Sequence, residues 1–160
     1  MAERTSTTLL TVTRTLGAIA LLVIGGLHYQ QYEYDFYSAI PTIGPLFLLN
    51  FIAATALGLF LIAPVRARLG RRGKVLDRLA AVSGLGVAAG GLAGLLISEH
   101  TPLFGFMEHG YRFAIVLAIA ADAAAIVPLS LFLVAARHPS RGGQPSHARA
   151  RPGASAAAES

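Results

Sequence analysis

The sequence predicts an all-α protein: a four-helix transmembrane bundle with N and C termini cytoplasmic. Three observations predict it. Of the 160 residues, 54% are hydrophobic and only 13% charged, with a mean hydropathy of +0.61, whereas a soluble domain carries about a quarter charged residues. The charges are crowded between four long apolar runs, each close to the roughly 20 residues that cross about 30 Å of hydrocarbon. The basic residues fall on alternate connections, with Arg112 the exception, and the positive-inside rule then puts both ends and the middle connection in the cytoplasm. A backbone this apolar must satisfy its own hydrogen bonds, which selects helices.

The first span is predicted over about residues 10–28, with Thr15 to Leu27 as its apolar centre after Arg4 and Arg14. Its end, Gly-Gly-Leu-His-Tyr, is a poor signal-peptide cleavage site, and further spans follow, so it reads as an uncleaved helix. The next connection is rich in tyrosine, and all five tyrosines (Tyr29, Tyr32, Tyr34, Tyr37, Tyr111) fall on the predicted outer side. That is the pattern of an interfacial aromatic belt, with a short interfacial helix expected up to Ser38. The second span, about 45–63, begins at Pro45, which suits a first helical turn, and stops at Pro64.

Arg66, Arg68, Arg71, Arg72, Lys74 and Arg78 fill the connection to the third span, about 79–98. Beside apolar runs, these cations point to anionic headgroups of the inner leaflet and not to nucleic acid. Within the third span Gly86, Gly90 and Gly94 recur every four residues. Such a stripe lets another backbone approach closely. It either seats the span in its own bundle, with Ala54 and Gly58 of the second span as partner, or forms the face of a homo-oligomer or of a membrane-protein partner. The fourth span, about 111–136, completes a membrane domain of residues 1–136. Residues 137–160 are basic, aperiodic and without large apolar side chains, and are expected to be a disordered tail.

Two polar groups are candidates for chemistry. Asp122 is the acid within an apolar span, roughly 15 Å deep at 1.5 Å per residue, with Thr55 at matching depth and Asn50 somewhat shallower. An unpaired carboxylate there costs roughly 2.5–3.5 kcal/mol, so it is expected to be protonated or hydrated. Two readings stand open: a proton or cation carrier, or a neutral acid bonded to Thr55 or a backbone carbonyl. The second group is an outer cluster of His28, Glu99, His100, Glu108, His109 and Arg112. His28, His100 and His109 could bind haem, zinc or copper(II), but adjacent Glu-His pairs diverge by about 100° on a helix and metal-binding spacing is missing. The alternative is a polar cap, with Glu108 and Arg112 paired at i,i+4 to clamp the hairpin. No cofactor is predicted. The absence of cysteine removes disulfides and thiolate sites, and no phosphate-loop, G-x-S-x-G or H-E-x-x-H pattern occurs.

His28-Tyr29, YSAIPTIGPLFLLN (37–50) and FGFMEHGYR (104–112), followed by Asp122, together resemble uncharacterised small four-span integral membrane proteins of high-GC bacteria. The resemblance covers most of the membrane region and implies its topology without implying a reaction. In size and span count the chain is also similar to DoxX-like proteins, without that family's motifs. The expected function is a non-enzymatic structural, interaction or accessory subunit, multi-pass in a bacterial plasma membrane. Its rivals are a small proton- or cation-coupled transporter using Asp122 and an outward-facing haem or metal redox protein.

Overall fold

A computed structural model describes residues 2–108, 110 and 112–137. Four helices form: α1 (Ala2–Tyr34), α2 (Ile43–Ile62), α3 (Val65–Ser98) and α4 (Phe113–Arg137). A single 3-10 turn, Tyr37–Ala39, sits between the first two. All four helices are long and apolar enough to cross a membrane. They stand around a square in chain order: α1 packs on α2 and α4, α3 on α4 and α2, and α1 and α3 meet only briefly across the diagonal.

Sequence composition explains which faces turn inward. The core is built mainly from alanine: Ala18, Ala54, Ala81, Ala88 and Ala125 are fully buried. The large apolar side chains point the other way, as in the α1 stripe Leu9, Val12, Leu16, Ile19 and Val23. In water this would be an inverted protein. In lipid, where tails are as apolar as leucine, it is the expected order, because small residues let backbones approach and gain packing contacts.

The close approaches lie along α1. A Cβ on Gly58 of α2 would stand 2.9 Å from the Ala18 carbonyl oxygen, and one on Gly25 would collide with the Thr55 hydroxyl. The Ala54/Gly58 stripe therefore serves α1, not the third span. Gly86 and Gly90 have nothing within 4 Å of an added Cβ, and Gly94 meets only Leu103 at 3.8 Å. Among the described residues, Gly86 and Gly90 of the α3 stripe therefore make no close approach to another helix.

Element boundaries also shift. The first helix runs through Arg14 and continues past His28 to Tyr34, because Arg14 finds a partner and the 29–34 segment packs, with Tyr29 on Phe51 at 5.0 Å between ring centres. The basic connection is helical and belongs to α3, broken at Gly70, whose φ of 52° and ψ of −118° are open to glycine. Arg68, Arg71, Arg72, Lys74 and Arg78 are exposed, and Arg78 donates to the Ala136 carbonyl near the end of α4. The Arg66 side chain, His109, Tyr111 and the tail of 138–160 lie outside the described residues. Within α4, buried Pro128 removes one helical donor.

One buried ion pair joins the diagonal helices. Arg14 Nη1 donates to Asp77 Oδ2 at 3.2 Å, with the side chains 17% and 2% exposed. It marks the basic end of the bundle. The tyrosine end is closed by residues 99–112. There Leu103 and Phe106 exchange backbone bonds at 2.7 and 3.0 Å around Phe104 and Gly105, both at positive φ, as a type I′ turn requires.

Candidate functional site

A cavity of about 570 Å³ lies between α2 and α3, beneath this hairpin. Leu46, Leu49, Gly86 and Gly90 line it and are themselves exposed, so it opens sideways between the two helices. Towards the basic end the bundle is filled by Leu21, Ala125 and Leu129, all fully buried. The α3 glycines thus form one smooth wall of the cavity. Its remaining lining is mostly apolar or aromatic, with a few convergent polar groups, the usual make-up of a small-molecule pocket.

His28 and Asn50 form the first polar pair. Two turns before the end of α1, the His28 ring is turned back along its own helix, and Nδ1 contacts the Ile24 carbonyl at 2.9 Å. A carbonyl only accepts, so Nδ1 carries the proton. In a neutral ring Nε2 must then accept, and it faces Asn50 Nδ2 at 3.0 Å. That orients the Asn50 amide and leaves its buried Oδ1 without a donor.

Asp122 is the second group. It lies on the buried face of α4, 2% exposed, roughly 14 Å from the helix start at 1.5 Å per residue. It lines the cavity, and its buried Oδ1 has no hydrogen-bond partner. Asn50 and Asp122 both face Gly91: a Cβ there would lie 3.3 Å from Asn50 Nδ2 and 3.6 Å from Asp122 Oδ2. Sequence depth alone separates the two residues; the packing of α3 between them brings both against one glycine. Thr55 is not brought to this site. It faces Gly25 on the seam between α1 and α2, so the neutral acid bonded to Thr55 does not form.

At the cavity mouth the predicted Glu108–Arg112 pair is present, with Arg112 Nη2 donating to Glu108 Oε1 at 3.1 Å. The third member, Tyr37, was assigned by the sequence only to the aromatic belt. It is 5% exposed, donates its hydroxyl to Glu108 Oε2 and accepts from Arg112 Nη2 at 2.9 Å. Its ring stacks on Phe47 at 4.7 Å and meets Phe106 edge-on at 5.4 Å. Burial, and then the adjacent carboxylate, push the Tyr37 phenol well above the usual tyrosine range. The phenolate that Tyr37 becomes on ionising, and the Glu108 carboxylate, raise Arg112 in turn. Glu108 N also donates to the Ser98 carbonyl at 3.1 Å, so the hairpin is tied to α3 and to the 3-10 turn together. No local pattern in the sequence signals this contact, because Tyr37 and Glu108 lie 71 residues apart.

The rest of the outer cluster disperses. His28 turns into the cavity. His100 is exposed, with Nδ1 on the Leu96 carbonyl at 2.9 Å, and Glu99 keeps one buried oxygen without a partner. Among the described residues no three His, Cys, Asp or Glu side chains are grouped to hold a metal ion, so His28 and His100 do not converge as the metal reading requires. His109 lies outside the described residues. No family model, curated protein or solved structure matches the chain.

Proposed function

We propose that the chain is a multi-pass membrane protein that binds a small lipophilic molecule, without performing chemistry on it, in the cavity between α2 and α3. The observation that carries this reading is the unpartnered Asp122 carboxyl on the wall of an otherwise apolar 570 Å³ space. A buried polar oxygen without a donor costs about 1–3 kcal/mol, and a ligand that supplies the donor recovers that cost. The sideways opening faces what would be lipid, so a ligand dissolved in the bilayer reaches the site without crossing water. The arginine distribution supports a bacterial plasma membrane with the basic end cytoplasmic and anionic headgroups around Arg68, Arg71, Arg72 and Lys74. An accessory role in a larger envelope assembly is compatible with a binding subunit of this kind.

Photolabelling tests the proposal. A neutral alkyl alcohol bearing a diazirine, irradiated with the protein in phosphatidylcholine nanodiscs, is expected to label α2 and α3 residues around Leu49 and Gly90. Gly90→Leu fills the space where an added Cβ meets nothing and should suppress that labelling while leaving helicity unchanged. Equal labelling of the two proteins means that the cavity takes no ligand.

Proton- or cation-coupled transport is the second reading, favoured by one observation: the same cavity touches Glu108 at the tyrosine end and Asp122 inside the bundle. Asp122→Asn should then abolish pH-gradient-driven flux in proteoliposomes. A bundle that moves nothing in either form leaves binding alone.

A further inference from the structure

Resting on the cavity reading, we infer that the ligand is a lipophilic amine, held as its ammonium by Asp122 with Asn50 as the second acceptor. Three features point to a cation carrying N–H donors. Among the described residues, the titratable side chains on the cavity wall are His28, Tyr37, Glu108 and Asp122, and no described lysine or arginine lines it. Glu108 is already engaged by Tyr37 and Arg112. Asp122 has no cation beside it, so a positive group entering the cavity finds one uncompensated acid.

The second feature is the inventory of unused hydrogen-bonding atoms. Both buried unpartnered oxygens at this level, Asn50 Oδ1 and Asp122 Oδ1, accept. The amide could have turned its nitrogen to the ligand and its oxygen to His28. It does not, because His28 Nδ1 is committed to the Ile24 carbonyl and Nε2 is left as an acceptor that claims Asn50 Nδ2. His28 is thus a positioning residue that leaves Asn50 Oδ1 as the unpaired acceptor of the amide. A carboxylate or a ketone offers only acceptors to such a site and is refused; an ammonium offers up to three donors.

The third feature is the shape of the apolar part. Gly86 and Gly90 leave open space on one wall, Leu46 and Leu49 face it from α2, and the Phe47 ring stands near His28 at 5.1 Å. An unbranched or flat hydrocarbon body lies between these walls while the charged head reaches Asp122.

Competition against the diazirine label separates the ligand class from the cavity itself. Decylamine, decanol and decanoate share one chain and differ in head group. In wild-type protein in phosphatidylcholine nanodiscs, decylamine should displace the label about ten- to a hundredfold more effectively than the other two, the range of a charge-assisted hydrogen bond. Asp122→Asn should remove that advantage while decanol competes as before. Asn50→Leu should reduce it partly, and His28→Gln, which can present an N–H to Asn50 Oδ1, should weaken the preference for the amine over decanol.

If the label enters the cavity but decanol or decanoate competes as well as decylamine, the amine assignment is overturned and the binding reading survives. If the same advantage persists in Asp122→Asn of unchanged helicity, the carboxyl does not hold the head group and the assignment is again overturned. If wild type and Gly90→Leu label alike, the underlying cavity reading has failed first.

Discussion

Two single-methyl changes test the packing of this bundle against each other. Gly58→Ala places a Cβ 2.9 Å from the Ala18 carbonyl oxygen and 2.9 Å from Leu22 Cγ and Cδ2, about half an ångström inside the 3.4 Å at which ordinary contact begins. Leu22 can rotate away, but the carbonyl belongs to the α1 backbone, so the helices must part. Overpacking of this kind costs about 1–3 kcal/mol. Gly90→Ala adds the same methyl where no heavy atom lies within 4 Å and removes a flexible glycine from a helix, a gain of about 0.5–1 kcal/mol. Gly58 is also interior to a helix and gains the same propensity, so the two variants should separate by the overpacking cost of about 1–3 kcal/mol, with Gly90→Ala the more stable. Reversible unfolding by SDS in mixed micelles, followed by helical circular dichroism, measures the difference. A Gly90→Ala protein less stable than Gly58→Ala would show that α3 is packed through its glycine stripe, and the cavity would vanish with that result.

The other expected outcomes concern the two polar anchors. Tyr37→Phe leaves the buried Glu108 short of its hydroxyl donor, which should cost about 1–3 kcal/mol and speed amide exchange at Glu108, bonded to Ser98; unchanged exchange removes Tyr37 from the latch. The Tyr37 phenol is raised by burial in the fold above its ordinary value of 10.0, so its stabilising contribution is complete below about pH 10 and is lost as pH climbs through the folded value. Wild type should accordingly lose more stability between pH 9 and about 12 than Tyr37→Phe does in the same titration, and parallel curves would contradict this. Asp77→Ala strands Arg14 and should cost about 3–5 kcal/mol, whereas the pair Arg14→Met with Asp77→Leu should lie near wild type. A double variant no better than the single one would show that the pair contributes more than mutual neutralisation.

What the sequence made legible follows from which forces act locally. Four apolar runs dictate four helices because the backbone has no alternative in lipid, and the observed helices overlap every predicted span. The Glu108–Arg112 pair was readable because an i,i+4 spacing needs only one turn. Long-range partners were not. Asp77 lies two residues before the predicted third span and Arg14 inside the first, and only the diagonal contact of α1 with α3 makes them a pair. His28 looked like the end of a span because Tyr29 and Gln30 follow it, yet packing on α2 carries the helix onward and turns the ring inward. Spacing by four identified the Gly86/Gly90/Gly94 stripe correctly as one face, but no count of residues says whether a face meets a helix or a void.

That last distinction organises the molecule. The seams of α1 with α2 and α4 are closed by glycine and alanine against backbone and leucine, with Gly58 held against the Ala18 carbonyl and Gly17 against Leu129. The seam of α2 with α3 is held at its tyrosine end by the Tyr37–Glu108–Arg112 triad and is open along Gly86 and Gly90. A bundle seeking only maximal packing would close both, since nothing in the backbone of α3 prevents a larger residue at position 90. Keeping glycine there forgoes helix stability, and the space gained is the one that Asp122 lines. The open seam and the unpartnered acid are therefore two halves of one arrangement: Gly90→Leu should occlude the first without moving the second, and Asp122→Asn should silence the second without closing the first.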